Sequence, residues 1–278
     1  MHQVEICEVG KRQENMGQFD HCSSRLTRRR FLSQSSLALA SLPVLRSHIA
    51  FADSGKEGFI EVETTYGRVR GLKSEGLATF KGIPYGGPVS GPNRFKAAPP
   101  LQAWTGVRDT LKSGPPSLQP IMRPSFGTSE GMPAEDCLFL NLWTPAADGR
   151  KRPVMFYCHG GGFTIGSGGA PYQDASNLAR IWDVVVVATN HRLGLMGFLY
   201  LGDLGGEEYA TSGNQGLLDI RDGLKWVHEN IAAFGGDPNN VMIFGESGGG
   251  AKTSCLYAMP TAAPFFNKAQ SKAAPAFS

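Results

Sequence analysis

No histidine, aspartate or glutamate occurs after Glu246, so the C-terminal stretch holds neither the acid nor the imidazole that would take a proton from a nucleophile. Histidine is scarce throughout, with six in 278 residues. Cysteine is sparse too: Cys7, Cys22, Cys137, Cys158 and Cys255 show no metal-type spacing, and the three beyond residue 52 are an odd number, which argues against a disulfide framework or a zinc module. Residues 53–278 carry no surplus charge, with 20 Lys/Arg against 20 Asp/Glu, so no nucleic-acid footprint and no polyanionic partner is indicated. No apolar run reaches the length of a membrane span, because the best stretch is short and interrupted by Pro43 and Arg46. Internal repeats and low-complexity linkers are absent as well. What remains is a globular, loop-rich chain, 41% apolar and 18% charged with 36 Gly and 18 Pro.

The net charge of +3 sits entirely in residues 1–52, which hold 7 Lys/Arg and 4 Asp/Glu. There Arg28, Arg29 and Arg30 lead into Phe31-Leu32, a weakly apolar run reaches Leu45, and Ala50-Phe51-Ala52 supplies a small-x-small cleavage pattern. That is the layout of a secretory signal, and Thr-Arg-Arg-x-Phe-Leu resembles a bacterial twin-arginine start. The expected organisation is therefore a polar extension plus signal peptide over 1–52 and one body over 53–278, in a protein exported to the periplasm or the medium of a bacterium. Residues 1–24 carry no fold pattern, and Met16 is an alternative start.

In the body, 59–73 alternates apolar and polar residues around Tyr66-Gly67 and reads as a β-hairpin. One strand over "ATFKGIPYG" leads into a Pro/Gly-rich stretch, 84–133, expected as surface loops, and 137–145 is a further strand stopped by Pro145. Residues 153–160, 184–190 and 240–245 are near-continuous apolar runs rich in Val, the kind buried on both faces of a parallel sheet. Between the last two, 214–236 reads as a helix whose apolar face is Leu217, Leu218, Leu224, Trp226, Val227 and Ile231, stopped by Gly235-Gly236. Buried strands alternating with a helix predict an α/β fold with a mostly parallel central sheet, preceded by a small antiparallel sheet.

Two glycine loops carry the chemistry. Gly245-Glu246-Ser247-Gly248-Gly249 stands directly after a buried-type strand and directly before "AKTSCLYAM", which can run as a helix. A nucleophilic serine needs such a tight strand-to-helix turn, where flanking glycines avoid clashes and the helix N-terminus lends N–H groups and partial positive charge. "HGGGF", 159–163, also follows a strand, and its glycines let backbone N–H groups face a developing oxyanion. Rival readings of the same glycines fail on particular residues. A phosphate-binding P-loop aligned on Lys252-Thr253 would have Glu246 and Ala251 where glycines belong. A dinucleotide fold needs an acid closing the next strand, which ends Thr189-Asn190-His191.

With these motifs in order, "TTYGRVRG", "FKGIPYG", "NRF", "EDCLFLNLWTP", "HGGGF", "NHRLGLMGFL" and the long block 213–251, the chain resembles the type-B carboxylesterase/cholinesterase family over nearly all of 59–270. The resemblance implies an α/β-hydrolase fold and hydrolysis of a small-molecule carboxylic ester through an acyl-enzyme, with no cofactor and no metal. It implies Ser247 as the nucleophile and Gly161, Gly162 and Gly248 as oxyanion N–H donors, with Arg94 and Glu135 as a structural ion pair. It also marks departures. Many members join the cysteine of "EDC" to an upstream cysteine, and Ser117 looks to stand at that position, leaving Cys137 unpaired. Gly248 stands where alanine is common.

In this fold the triad runs Ser, then acid, then His. His159, His191 and His228 all precede Ser247, and of these only His191, after a strand end, is placed to approach the site. The expectation is a C-terminally truncated hydrolase domain that is poorly active alone, its serine strand presenting an unpaired apolar edge. The alternative is a non-catalytic α/β-hydrolase-like binding module. The oligomeric state and the identity of the ester are not legible.

Overall fold

The computed structural model describes residues 7–8, 57–120 and 131–272. By its contacts the chain divides into residues 1–9 with 54–278, and residues 10–53. The second unit, and with it the expected signal segment, lies outside the described residues.

Among the described residues ten strands form one sheet: β1 (Cys7–Glu8), β2 (Gly58–Thr64), β3 (Gly67–Ser74), β4 (Leu77–Pro84), β5 (Val107–Asp109), β6 (Phe139–Thr144), β7 (Arg152–Cys158), β8 (Val185–Thr189), β9 (Gly236–Glu246) and β10 (Lys268–Lys272). Their spatial order is β1-β10-β9-β7-β8-β6-β4-β3-β2, with β5 alongside β3. The β2–β3 hairpin forms as the alternation predicts, but it pairs Thr64 with Gly67, so its two-residue turn is Thr65-Tyr66, one residue before the expected Tyr66-Gly67 centre. Strands β10, β9, β7 and β8 are mutually parallel. The antiparallel N-terminal strands are not a separate layer, because β6 pairs antiparallel with β8 and makes one sheet of the two parts. Within the stretch expected as loops, Val107–Asp109 pairs parallel with β3, a strand too short and too exposed to leave a pattern.

One expectation is overturned. The edge of β9 is not bare: Lys268–Lys272 lies parallel to it, pairing Ala269 with Ile243 and Lys272 with Glu246. The sequence "KAQSK" lacks β-branched residues, and its strand conformation comes from the ladder that β9 offers. Cys7–Glu8, from a region without fold pattern, pairs antiparallel with β10 in turn. Backbone pairing of two residues needs no side-chain pattern, only an open edge.

Among the described residues five α-helices, α1 (Ser176–Trp182), α2 (Gly194–Phe198), α3 (Gly202–Gly205), α4 (Gln215–Asn230) and α5 (Gly248–Ala258), pack around the sheet. The larger core lies between one sheet face (Val154, Phe156, Val187, Ile243) and α4, which buries Ile220, Leu224 and Val227 completely. Each such side chain contributes about 1.5–3 kcal/mol by leaving water. On the other face, Ala179 of α1 and Ala175, which caps it, pack against Trp143, Val186 and Ala188. No helix among the described residues is long and apolar enough to cross a membrane.

Candidate active site

The parallel order β8-β7-β9 brings three strand ends side by side, and each continues into a site segment. After β7 comes the loop 159–163, after β8 the segment Asn190–Leu193, and after β9 the turn at Ser247. Ser247 is the N-cap of α5 and holds φ 55°, ψ −126°, a conformation that side-chain-bearing residues rarely adopt. Holding it there costs about 1–3 kcal/mol, which the surrounding structure has to offset. Two backbone bonds do so: Ser247 N–H donates to the Lys272 carbonyl (3.0 Å), and Ala251 N–H donates to the Ser247 carbonyl (3.1 Å). The residue is exposed, and its hydroxyl makes no hydrogen bond to a described side chain.

The glycine loop lies against this turn. A Cβ on Gly160 would stand 3.7 Å from the Ser247 Cβ, and one on Gly248 would stand 2.5 Å from both N and Cα of Gly162. Gly248, the residue after Ser247, thus lies directly against Gly162 of the loop, while Gly161 packs against Ile165. The loop is held from several sides. The Phe163 carbonyl accepts from Gly194 N–H (2.7 Å), and Gln119 bonds both the N–H and the carbonyl of Gly166. Asn190 Oδ1 accepts from Ser167 Oγ and from Gly168 N–H.

The three histidines are placed differently from one another. His228 is exposed on α4, its ring 5.7 Å from that of Phe265. His191 does lie among the strand ends, but inside the protein: its ring stacks on that of His159 at 4.6 Å and 2°. Each Nδ1 meets a backbone carbonyl, that of Gly160 for His159 and of Arg192 for His191, which places the ring proton on Nδ1. Both Nε2 atoms are buried without a partner among the described residues. Among the described residues no histidine hydrogen-bonds Ser247.

Burial, followed by the Lys252 charge, pushes His159 down to about 3. Burial holds His191 well below its ordinary value, and the charges of Lys252 and His159 act the same way. Both rings are therefore neutral in the folded protein, while in the unfolded chain they take up protons below about pH 6.5. Their contribution to stability is complete above that pH and is lost as pH falls toward their folded values. For His159 the expected loss is about 2 kcal/mol by pH 5, before most carboxylates titrate, and His191 adds to it in the same direction. Urea midpoints at pH 7, 6 and 5 check this, and a flat series would contradict a neutral buried pair.

Lys252 fails as a P-loop lysine, and neither glycine loop's chemistry assigns it a place. Gly249, Lys252, Thr253 and Leu256 share one face of α5 and all are buried, so the helical period carries this lysine inward. Its Nζ donates to the His159 carbonyl at 3.1 Å and stands 5.7 Å from the centre of the Phe163 ring. Burial lowers it to about 8.

The other expected residues fall as read. Arg94 and Glu135 form a two-pronged pair, Nε–Oε2 2.6 Å and Nη2–Oε1 2.7 Å. Cys137 is a free, buried thiol beside the Ser117 hydroxyl and is pushed up to about 12, chiefly by burial. Cys158, also buried and free, is pushed up to about 11 by the same cause. Among the described residues no group of three or more His, Cys, Asp or Glu could hold a metal ion.

A family model described as "Carboxylesterase family" matches residues 59–278. The para-nitrobenzyl esterase of Bacillus subtilis (strain 168) is 46% identical over 210 residues, which cover 75% of this chain and 42% of that protein. Human carboxylesterase 3 is 45% identical over 224 residues, covering 75% and 38% respectively. The crystal structure of a Geobacillus stearothermophilus carboxylesterase superposes with a TM-score of 0.71 at 50% identity, covering 75% of this chain and 42% of that one. The chain thus spans about two fifths of the length of these relatives. Sequence, sheet order and the two glycine loops agree: the chain has the α/β-hydrolase fold and belongs to the carboxylesterase family.

Proposed function

We propose that this chain carries the nucleophile and the oxyanion donors of a serine carboxylic-ester hydrolase. Ser247 Oγ attacks the ester carbonyl carbon, and the carbonyl oxygen takes up the electron pair. The N–H groups of Gly161, Gly162 and Gly248 receive that oxyanion. Collapse of the tetrahedral intermediate expels the alcohol and leaves Ser247 acylated, and water then releases the acid. The contact of Gly162 with Gly248 beside an exposed serine at φ 55° is the observation that carries this reading.

A base for the Ser247 proton is not found among the described residues, since His159 and His191 are buried and His228 lies on α4. A triad site without its base retains roughly 10³–10⁴ over water from binding and oxyanion stabilisation. This chain by itself is therefore expected to turn esters over poorly. Residues 1–52 are proposed to direct export.

A fluorophosphonate probe tests the assignment by intact mass and peptide mapping. The expected result is slow labelling at Ser247 alone, abolished in Ser247→Ala. Hydrolysis of a p-nitrophenyl ester that persists unchanged in Ser247→Ala would overturn the mechanism. A folded chain that takes no label would favour a binding module.

A further inference from the structure

Lys252 is a buried cation without an anion. Among the described residues no carboxylate pairs with it, although an ammonium removed from water is costly to leave uncompensated. What it has instead is the His159 carbonyl, 3.1 Å from Nζ, and the face of Phe163. A carbonyl oxygen and an aromatic face are the two electron-rich surfaces a desolvated ammonium can use in place of a carboxylate.

These partners are the first and last residues of the loop 159–163. Between them lie three glycines, which have no side chains with which to hold a conformation. Lys252 is also five residues after Ser247 on the same helix, so whatever it holds is indexed to the serine. We propose that Lys252 is the positioning residue of the oxyanion loop, its ammonium holding both ends of His159–Phe163 against the helix that begins at Ser247. The proposal rests on the hydrolase reading for its consequence in catalysis, but the clip itself is a property of the folded chain.

The surroundings make the clip separable by pH. The groups facing Lys252 are Cys158 from the end of β7, His159 from the loop and His191 from the end of β8, and no carboxylate of α4, β9 or β10 contributes to its pKa. Cys158 is pushed up to about 11, His159 down to about 3 and His191 well below its usual range. Lys252, lowered to about 8, is the member of this cluster that changes charge between neutral and mildly alkaline pH. The sign follows: the charged clip is present below that value and is lost as pH rises through it.

Amide hydrogen exchange on the whole chain, corrected for the intrinsic pH dependence, reads the loop directly. Protection of 159–163 in the wild type is expected to fall about tenfold as pH rises through about 8, the scale of one charge-assisted hydrogen bond, while α4 stays unchanged. Lys252→Met should show the low protection at every pH, and Lys252→Arg, which keeps its charge, should hold protection at alkaline pH. Ser247 labelling by the fluorophosphonate, compared with wild type at equal pH, should slow by a similar factor in Lys252→Met. Loop protection that is flat through pH 8 in the wild type overturns the proposal, and that series needs no variant to fold. Labelling and protection equal in wild type and Lys252→Met overturn it too. Absence of label in every chain, with protection following pH as stated, would sink the hydrolase reading and leave the clip standing.

Discussion

Asp219→Ala is expected to lower the unfolding free energy by about 3–5 kcal/mol, enough to leave much of a typical domain's stability gone. Asp219 and Arg192 are both 1% exposed. The carboxylate receives Arg192 Nη2 on Oδ1 (2.7 Å), and Nε (2.8 Å) and the Arg192 backbone N–H (3.0 Å) on Oδ2. The guanidinium is completed by the Lys96 carbonyl (2.7 Å) and Gln215 Oε1 (3.2 Å). Truncating the aspartate removes three of these bonds and leaves a cation that cannot reach water. Arg192 lies between His191 of the stacked pair and Gly194, whose N–H holds the Phe163 carbonyl. The damage should therefore reach the glycine loop as well as the fold. Urea unfolding followed by circular dichroism measures the loss, with an unchanged slope showing that the native state is still compact. Replacing both partners by apolar residues, Arg192→Met with Asp219→Leu, should recover most of it, because the large term is the stranded charge and not the pair's net attraction. A loss below about 1 kcal/mol for Asp219→Ala would show that the charge finds another partner.

The parts of this architecture that were legible in the sequence are those whose cause is local. The runs 153–160, 184–190 and 240–245 are strands because two covered faces demand apolar residues at consecutive positions, and all three form β7, β8 and β9. The glycine loops were legible because a tight turn and a close backbone approach exclude side chains wherever they occur. β10 was not legible, since its pairing is supplied by β9 and not by "KAQSK" itself. The stacking of His159 on His191 depends on β7 and β8 being neighbours, a fact of topology that no spacing in the chain states. Lys252 is the instructive case. Composition makes a lysine a surface residue, whereas its phase with Gly249 and Leu256 makes it an interior one, and the phase prevails because a carbonyl and a ring lie within its reach.

The same close approach makes Gly249→Ala the second large expected effect. Gly249 follows Ser247 by two residues on the first turn of α5, and a Cβ there would overlap the Cys158 carbonyl oxygen and reach 3.0 Å from the carbonyl carbons of both Cys158 and His159. All three obstacles are backbone, so no rotamer change relieves them. Either α5 must lift from the end of β7, taking the serine turn with it, or the start of the glycine loop must move away. Overpacking of a rigid interior costs about 1–3 kcal/mol, and a backbone obstacle places this site at or above the upper end. Both routes separate Ser247 and Gly248 from Gly161 and Gly162, so phosphonate labelling should fall by more than the loss of folded protein accounts for. Loss of one oxyanion donor alone is worth about 10²–10³ in rate. Labelling of Gly249→Ala equal to wild type, per folded protein, would mean that the turn yields without cost, and that contact between β7 and α5 is not what sets the serine beside the loop.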